Sequence, residues 1–124
     1  MIQLKRVYEA PSGMDGARFL VERLWPRGVK KTSLEMDAWL KEVAPSPELR
    51  KWFHHDPARW DEFRRRYLAE ITATPAAWRP ILDTARNGNV TLLYSSHDLE
   101  HNSAVVLQSF LEQKLRAEKA KKDK

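Results

Sequence analysis

A chain of 124 residues, 42% hydrophobic and 31% charged, has the size and make-up of one globular domain and not of a disordered segment. It contains no cysteine, which excludes disulfides, thiolate nucleophiles and cysteine-based zinc sites. The formal charge of +5 belongs to one end: residues 114–124, KLRAEKAKKDK, carry six Lys or Arg against two acids, leaving residues 1–113 with sixteen against fifteen.

A single domain is therefore expected over 1–113, with 114–124 as a basic helix end or tail. The N-terminus, MIQLKRVYEAP, lacks the apolar stretch of a signal peptide, and no apolar run is long enough to span a membrane. A cytoplasmic protein with no membrane partner is the expectation.

Residues 2–8, IQLKRVY, read as a first strand, and EAPSGMDG, 9–16, as turn chemistry. Residues 17–23 read as a second strand. Thr32 and Glu35 form a capping box ahead of Met36, Trp39, Leu40 and Val43, whose i, i+3, i+4, i+7 spacing predicts a helix stopped by Pro45. Ser46-Pro47 starts a short helix with Leu49, Trp52 and Phe53 on its apolar side. Asp56-Pro57 starts the longest of these helices, with Trp60, Phe63, Tyr67 and Ile71 on one face. Thr74-Pro75 starts another, with Trp78, Ile81, Leu82 and Ala85 inward; Pro80 is expected to kink it or delay its start. Trp39, Trp60 and Trp78 are expected in the core.

Asn87-Gly88 is a C-cap signal. NVTLLY, 89–94, is apolar without alternation, as in a strand buried on both faces. A closing helix is expected from about Asn102 to Lys119. Strands joined through helices pair in parallel with a right-handed crossover. The link between the first two strands is too short for a helical crossover, which leaves an antiparallel hairpin or a tight arch. The pattern as a whole is a small α/β domain: a sheet of three or four mainly parallel strands with helices packed on it.

In an open parallel sheet, ligands bind beyond the carboxyl ends of the strands. VERLWPRGVKK, 21–31, leaves the second strand and SSHDLEHN, 95–102, leaves the last. Arg23, Trp25, Arg27 and Gly28 are therefore expected to face Ser95, Ser96, His97, Asp98, His101 and Asn102. Two guanidiniums, a glycine turn and a helix N-terminus make this an oxyanion site by composition. Its ligand-binding candidates are Arg23, Trp25, Arg27, Gly28, Ser95, Ser96, Asp98, His101 and Asn102. Should the edge carry a reaction, Arg23, Arg27, Asp98 and His101 are the candidates for it.

Plainer roles compete. Arg23 or Arg27 could pair with Glu35, Asp37 or Asp98; Trp25 could be core; His101 and Asn102 could only cap the closing helix. His54-His55-Asp56 resembles a metal fragment, but adjacent histidines point apart and Asp56 suits an N-cap, so no metal is expected. Ser95 or Ser96 with His97 or His101 lacks the GxSxG elbow of a nucleophilic serine. With neither a phosphate loop nor a dinucleotide fingerprint, no cofactor is expected.

Three stretches in this order, RLWPRG, WLKEVAPSPELRKWFHHDPARWDEFRRRY and VTLLYSSHDLEHNSAVVL, resemble the YeaO-like bacterial family, a domain of unknown function, across about residues 2–112. The resemblance implies a cytoplasmic, three-layer, Rossmann-like α/β fold and no established reaction. Its signature positions fall on Arg23, Trp25, Pro26, Arg27, Gly28, Trp52, Asp56, Asp98, His101 and Asn102. The chain departs from the pattern with His54 where Gly is usual, His97 where Lys is common and Ser103 where Asn is common. Larger relatives carry a Cys and a His-Arg pair around the loop corresponding to 95–104; this chain has neither, so no cysteine mechanism transfers.

Three functions remain in view. One is a small enzyme or binding domain for a phosphate-like or carboxylate ligand. The second is a nucleic-acid-associated regulator using the basic tail and Arg64-Arg65-Arg66. The third is a non-catalytic adaptor. Near-neutrality of residues 1–113 weighs against the second.

Overall fold

Four strands run parallel in the spatial order β1-β4-β2-β3: β1 is Ile2–Arg6, β2 Ala17–Leu20, β3 Ala38–Trp39 and β4 Val90–Tyr94. The computed structural model describes residues 1–122. β4 lies between β1 and β2, with Ile2 and Ala17 both opposite Val90, and all five of its residues are buried. That explains its lack of alternation. β1 and β2 never pair. Of the two links left open between them, the antiparallel hairpin is absent: a ten-residue loop, 7–16, crosses β4 and returns the chain to the start of β2.

Side chains alternate strictly across the sheet. Ile2, Leu4, Phe19, Val21, Val90, Leu92 and Tyr94 join one apolar cluster with every helix, whereas Val7, Leu20 and Leu93 join a second with Trp25, Val29, Leu34, Met36 and Trp39 from the loops. Helices thus cover one face and the two long loops cover the other.

The loop layer is tied down by charge. Asp15, 3% exposed, accepts from Lys5 Nζ at 2.9 Å, from the Arg18 guanidinium and from Ser12 N at 3.0 Å. The Lys5 hydrogen bond, with Ser12 and Arg18 behind it, holds the Asp15 carboxyl below the usual range. At Gly16 φ is +65°, and a Cβ there would stand 1.9 Å from the Asn89 carbonyl oxygen, so the end of the crossover admits no larger residue.

Helix α1 (Pro47–Phe53) begins as the Ser-Pro signal predicts: Ser46 Oγ accepts from Leu49 N at 3.2 Å. Asp56 caps a 3-10 turn, Pro57–Arg59, that leads into α2 (Trp60–Thr72), which buries Phe63, Tyr67 and Ile71. Helix α3 (Pro75–Ala85) starts at Pro75 and continues through the exposed Pro80, so the start is not delayed. Trp78 is 4% exposed and donates to Ile71 O at 2.7 Å. Helix α4 (Ser103–Lys122) closes the chain and packs Leu107, Phe110 and Leu111 into the core. Residues 114–124, expected as a basic helix end or tail, are helical to Lys122, and the last two lie outside those described.

Two expectations fail. The helix predicted after Thr32 is absent: Ala38 and Trp39 form edge strand β3, followed by a 3-10 turn at Lys41–Val43. Arg18 captures this segment, because Arg18 N donates to Asp37 Oδ2 at 2.7 Å, Arg18 O accepts from Asp37 N at 2.7 Å, and Arg18 Nε donates to Glu35 O at 2.7 Å. Apolar residues then divide between the faces, Met36 and Trp39 to the loops, Ala38 and Leu40 to the helices. Asn87-Gly88, in turn, lies beyond the C-cap Arg86, and Gly88 does not take a left-handed φ.

Candidate functional site

The chain leaves β1 and β2 towards the loop-covered face and leaves β4 towards the helices, so the crevices flanking β4 at the carboxyl edge are the switch points of this sheet. Ser95, the first residue beyond β4, joins both crevices. On the β2 side its N–H donates to Glu22 Oε1, and its Oγ lies 2.8 Å from each Glu22 carboxylate oxygen. On the β1 side its carbonyl accepts from Arg6 Nη2 at 3.2 Å, while Arg6 Nε donates to Ser96 O at 3.0 Å.

Arg6 extends further. Its Nη2 lies 3.3 Å from His97 Nδ1, and because a guanidinium only donates, that nitrogen accepts and the ring proton sits on Nε2. The guanidinium also stands 4.8 Å from the centre of the Tyr8 ring. Tyr8, 49% exposed, donates its hydroxyl to Arg27 O at 3.0 Å. Arg6, Tyr8, Arg27 and His97 are thereby linked on one rim. Arg27 is itself exposed, and Gly28 turns the chain there with φ +74° and open space around it.

The opposite crevice is acidic. Burial pushes the Glu22 carboxyl above its ordinary value, against the opposing effects of the Ser95 bonds and nearby His55. His55 and His54 are both left-handed, φ 53° and 46°, which is uncommon for two successive non-glycine residues. His54 is the C-cap of α1.

Several predicted residues serve the fold. Arg23 turns away from the rim: Nε donates to Pro45 O and Nη2 to Ala44 O, each at 3.2 Å, with Glu42 3.8 Å from Nη1. The structural pairing weighed for it is real, although the acid is Glu42. Trp25 is half-buried in the loop layer, edge-on to Trp39 with centroids 5.3 Å apart, and donates to Val29 O at 2.6 Å. Asn102, 6% exposed, caps α4 by accepting from Val105 N at 3.0 Å.

Asp98 accepts from Glu100 N and His101 N, each at 2.9 Å, and these backbone bonds hold its carboxyl below the usual range, helped by the His101 ring. His101 Nδ1 lies 3.0 Å from Asp98 Oδ2, and its ring stands edge-on to Trp60 at 5.2 Å. Ser96 Oγ donates to Asp98 O at 3.2 Å. With Ser95 Oγ at Glu22 and Ser96 Oγ at Asp98 O, neither hydroxyl is aligned on a histidine.

Arg6, Tyr8 and Glu22 were not among the residues expected here, and His55 was weighed only as part of a metal fragment. Glu22 carried a signal, an acid directly after the apolar run Phe19-Leu20-Val21 where the strand leaves the sheet. Arg6 and Tyr8 became visible only when β1 was placed beside β4. Two open depressions, of about 350 and 340 Å3, lie elsewhere: one beside Trp52, Arg65 and Arg66, the other beside Trp39, Ala77 and Pro80. Among the described residues no group of three or more His, Asp or Glu is placed to hold a metal ion. No described helix is long and apolar enough to cross a membrane.

The model of the family described as the inactive DUF488-N3 subclade matches residues 1–124. The chain belongs to that family. It is 46% identical over 110 residues to the uncharacterized protein YeaO of Escherichia coli K12, covering 89% of this chain and 96% of YeaO. It is 38% identical over 107 residues to the uncharacterized protein Rv3073c of Mycobacterium tuberculosis H37Rv, covering 86% and 91%. No solved structure matches. The YeaO-like resemblance is therefore a family relationship across nearly the whole domain.

Proposed function

We propose that this member of the inactive DUF488-N3 subclade is a non-catalytic cytoplasmic binding domain for a small phosphate-like or carboxylate anion. The ligand is held at the carboxyl edge of the sheet, in the Rossmann-like manner, by Arg6, Tyr8, Arg27 and His97. The observation that carries this reading is the linked rim itself, in which one guanidinium contacts the Tyr8 ring and His97 while Tyr8 bonds the Arg27 backbone. The guanidiniums and the imidazole are donors suited to an oxyanion, and Tyr8, whose one proton goes to Arg27 O, braces the rim. Binding without turnover is supported by the two serine hydroxyls being engaged away from the histidines, and by the family's description as inactive. The cysteine-free composition suits a reducing compartment.

The test compares two arginines. At 100 times its dissociation constant, bound phosphate adds about 2.7 kcal/mol to folded-state stability. Because phosphate also strengthens apolar burial by exclusion, only a difference between variants is informative. Arg27→Gln should weaken phosphate binding, measured by calorimetry, whereas Arg23→Lys should lower stability and leave binding unchanged. Loss of binding in Arg23→Lys alone, with Arg27→Gln unaffected, would overturn the assignment.

A further inference from the structure

At this edge the placement of Glu22 disfavours its ionised form. Its carboxyl is withdrawn from water, accepts only from the neutral Ser95, and has no Lys or Arg pairing among the described residues. Ser95 sets the distance between the two crevices: its carbonyl holds Arg6 Nη2 at 3.2 Å while its N–H and Oγ hold Glu22. One residue thus separates the Arg6 guanidinium from a half-buried carboxylate. An anion seated on Arg6 would stand about 10 Å from Glu22, a span of one residue and two hydrogen bonds.

We propose that anion binding at this rim is coupled to proton uptake by Glu22, through the Ser95 bridge. The inference rests on the anion reading above. Two negative charges across one residue disfavour each other, and the carboxyl is the partner able to become neutral. The groups facing Glu22 are consistent with this. Ser95 comes from the end of β4 and His55 from the link after α1; Arg6 comes from the end of β1, with His97 and the Glu9 carboxylate beyond it. Arg6 is already shared among two carbonyls, His97 and the Tyr8 ring, so Glu22 has no direct claim on its charge. By linkage, conditions that protonate Glu22 tighten the anion, and the anion raises the affinity of Glu22 for its proton.

Sulfate is the probe, because it remains a dianion from mildly acidic to mildly alkaline pH and any proton taken up enters the protein. Calorimetric titration in buffers of different ionisation enthalpy counts those protons. Wild-type protein should take up more protons per sulfate than Glu22→Gln. Its affinity should also rise towards acid by roughly tenfold more than that of the variant, the effect of a dianion on one unit charge at about 10 Å in an effective dielectric near 20, cut about threefold by screening at ~0.1 M salt. Because His55 faces Glu22, both proteins carry His55→Gln, so that the carboxyl alone differs between them. Equal uptake in the two proteins overturns the coupling while leaving the anion site intact. Failure of wild-type protein to bind sulfate at any pH removes both readings. Ser95→Ala is the second variant: it deprives the Glu22 carboxylate of a hydroxyl donor, so the pH of greatest uptake should move upward. An unmoved maximum contradicts the role given to Ser95.

Discussion

Glu22 makes the sharpest statement at the scale of single residues. Its folded-state carboxyl titrates above the ordinary value of 4.5, so ionisation costs the fold stability at neutral pH. That cost is relieved as pH falls through the folded value and is gone below the unfolded one. Asp15 and Asp98 act in the opposite sense: their lowered carboxyls contribute stability above the ordinary aspartate value of 3.8, lost as pH falls through their folded values. Urea titrations across this range should show wild-type stability rising from neutral towards mildly acidic pH before the aspartates protonate. In Glu22→Gln that rise should be absent. A rise of the same size in the variant would assign it to another group. Trp78 provides a second residue-scale test. It is buried, hydrogen-bonded to Ile71 O and edge-on to Phe110 at 5.0 Å, so Trp78→Ala should cost about 3–5 kcal/mol in equilibrium denaturation. Trp39 and Trp60 are only half-buried, and truncating either should cost less than truncating Trp78. The residue that misled sequence reasoning most was Arg23, because nothing local indicates that its guanidinium satisfies the carbonyls of residues 44 and 45.

Among the elements, those with local punctuation were legible. Ser46-Pro47 and Asp56-Pro57 opened their segments as expected because a cap and a fixed proline φ need no distant partner. Thr74 preceded α3 without a side-chain cap bond, its Oγ1 donating instead to Glu70 O at 3.1 Å. Residues 32–43 were misread because their helical spacing lost to a tertiary claim: Arg18, seventeen to nineteen positions earlier, holds Glu35 and Asp37 against the edge of β2. α4 was expected to end near Lys119, and it continues to Lys122. Beyond Leu115 the Arg86–Glu118 pair at 2.6 Å lies on the surface, where ion pairs contribute little, and no large apolar side chain follows. Truncation after Ala117 should therefore leave unfolding cooperative and the melting temperature within a few degrees. Loss of cooperativity would make the end of α4 part of the domain's core.

For the molecule as a whole, the fold class followed from the order of elements, since helices between β2 and β4 require a parallel pairing and the two strands are indeed neighbours. The place of β1 did not follow. A loop crossing ten residues without a helix has no periodic signature, and only the pairing of Ile2–Arg6 with Val90–Tyr94 brings Arg6 and Tyr8 to the edge. Hence half of the proposed rim, Arg27 and His97, could be placed at the carboxyl edge from sequence, and the other half required the sheet order. The basic end of α4 offers the competing attraction for anions, through the exposed Lys114, Arg116, Lys119 and Lys121. Amide chemical-shift mapping of sulfate against chloride at equal ionic strength separates the two most directly. Saturable shifts centred on Arg6, Tyr8, Gly28, Ser96 and His97 are expected from an anion at the rim. Shifts confined to the lysines of α4, or the same pattern with both salts, would contradict it.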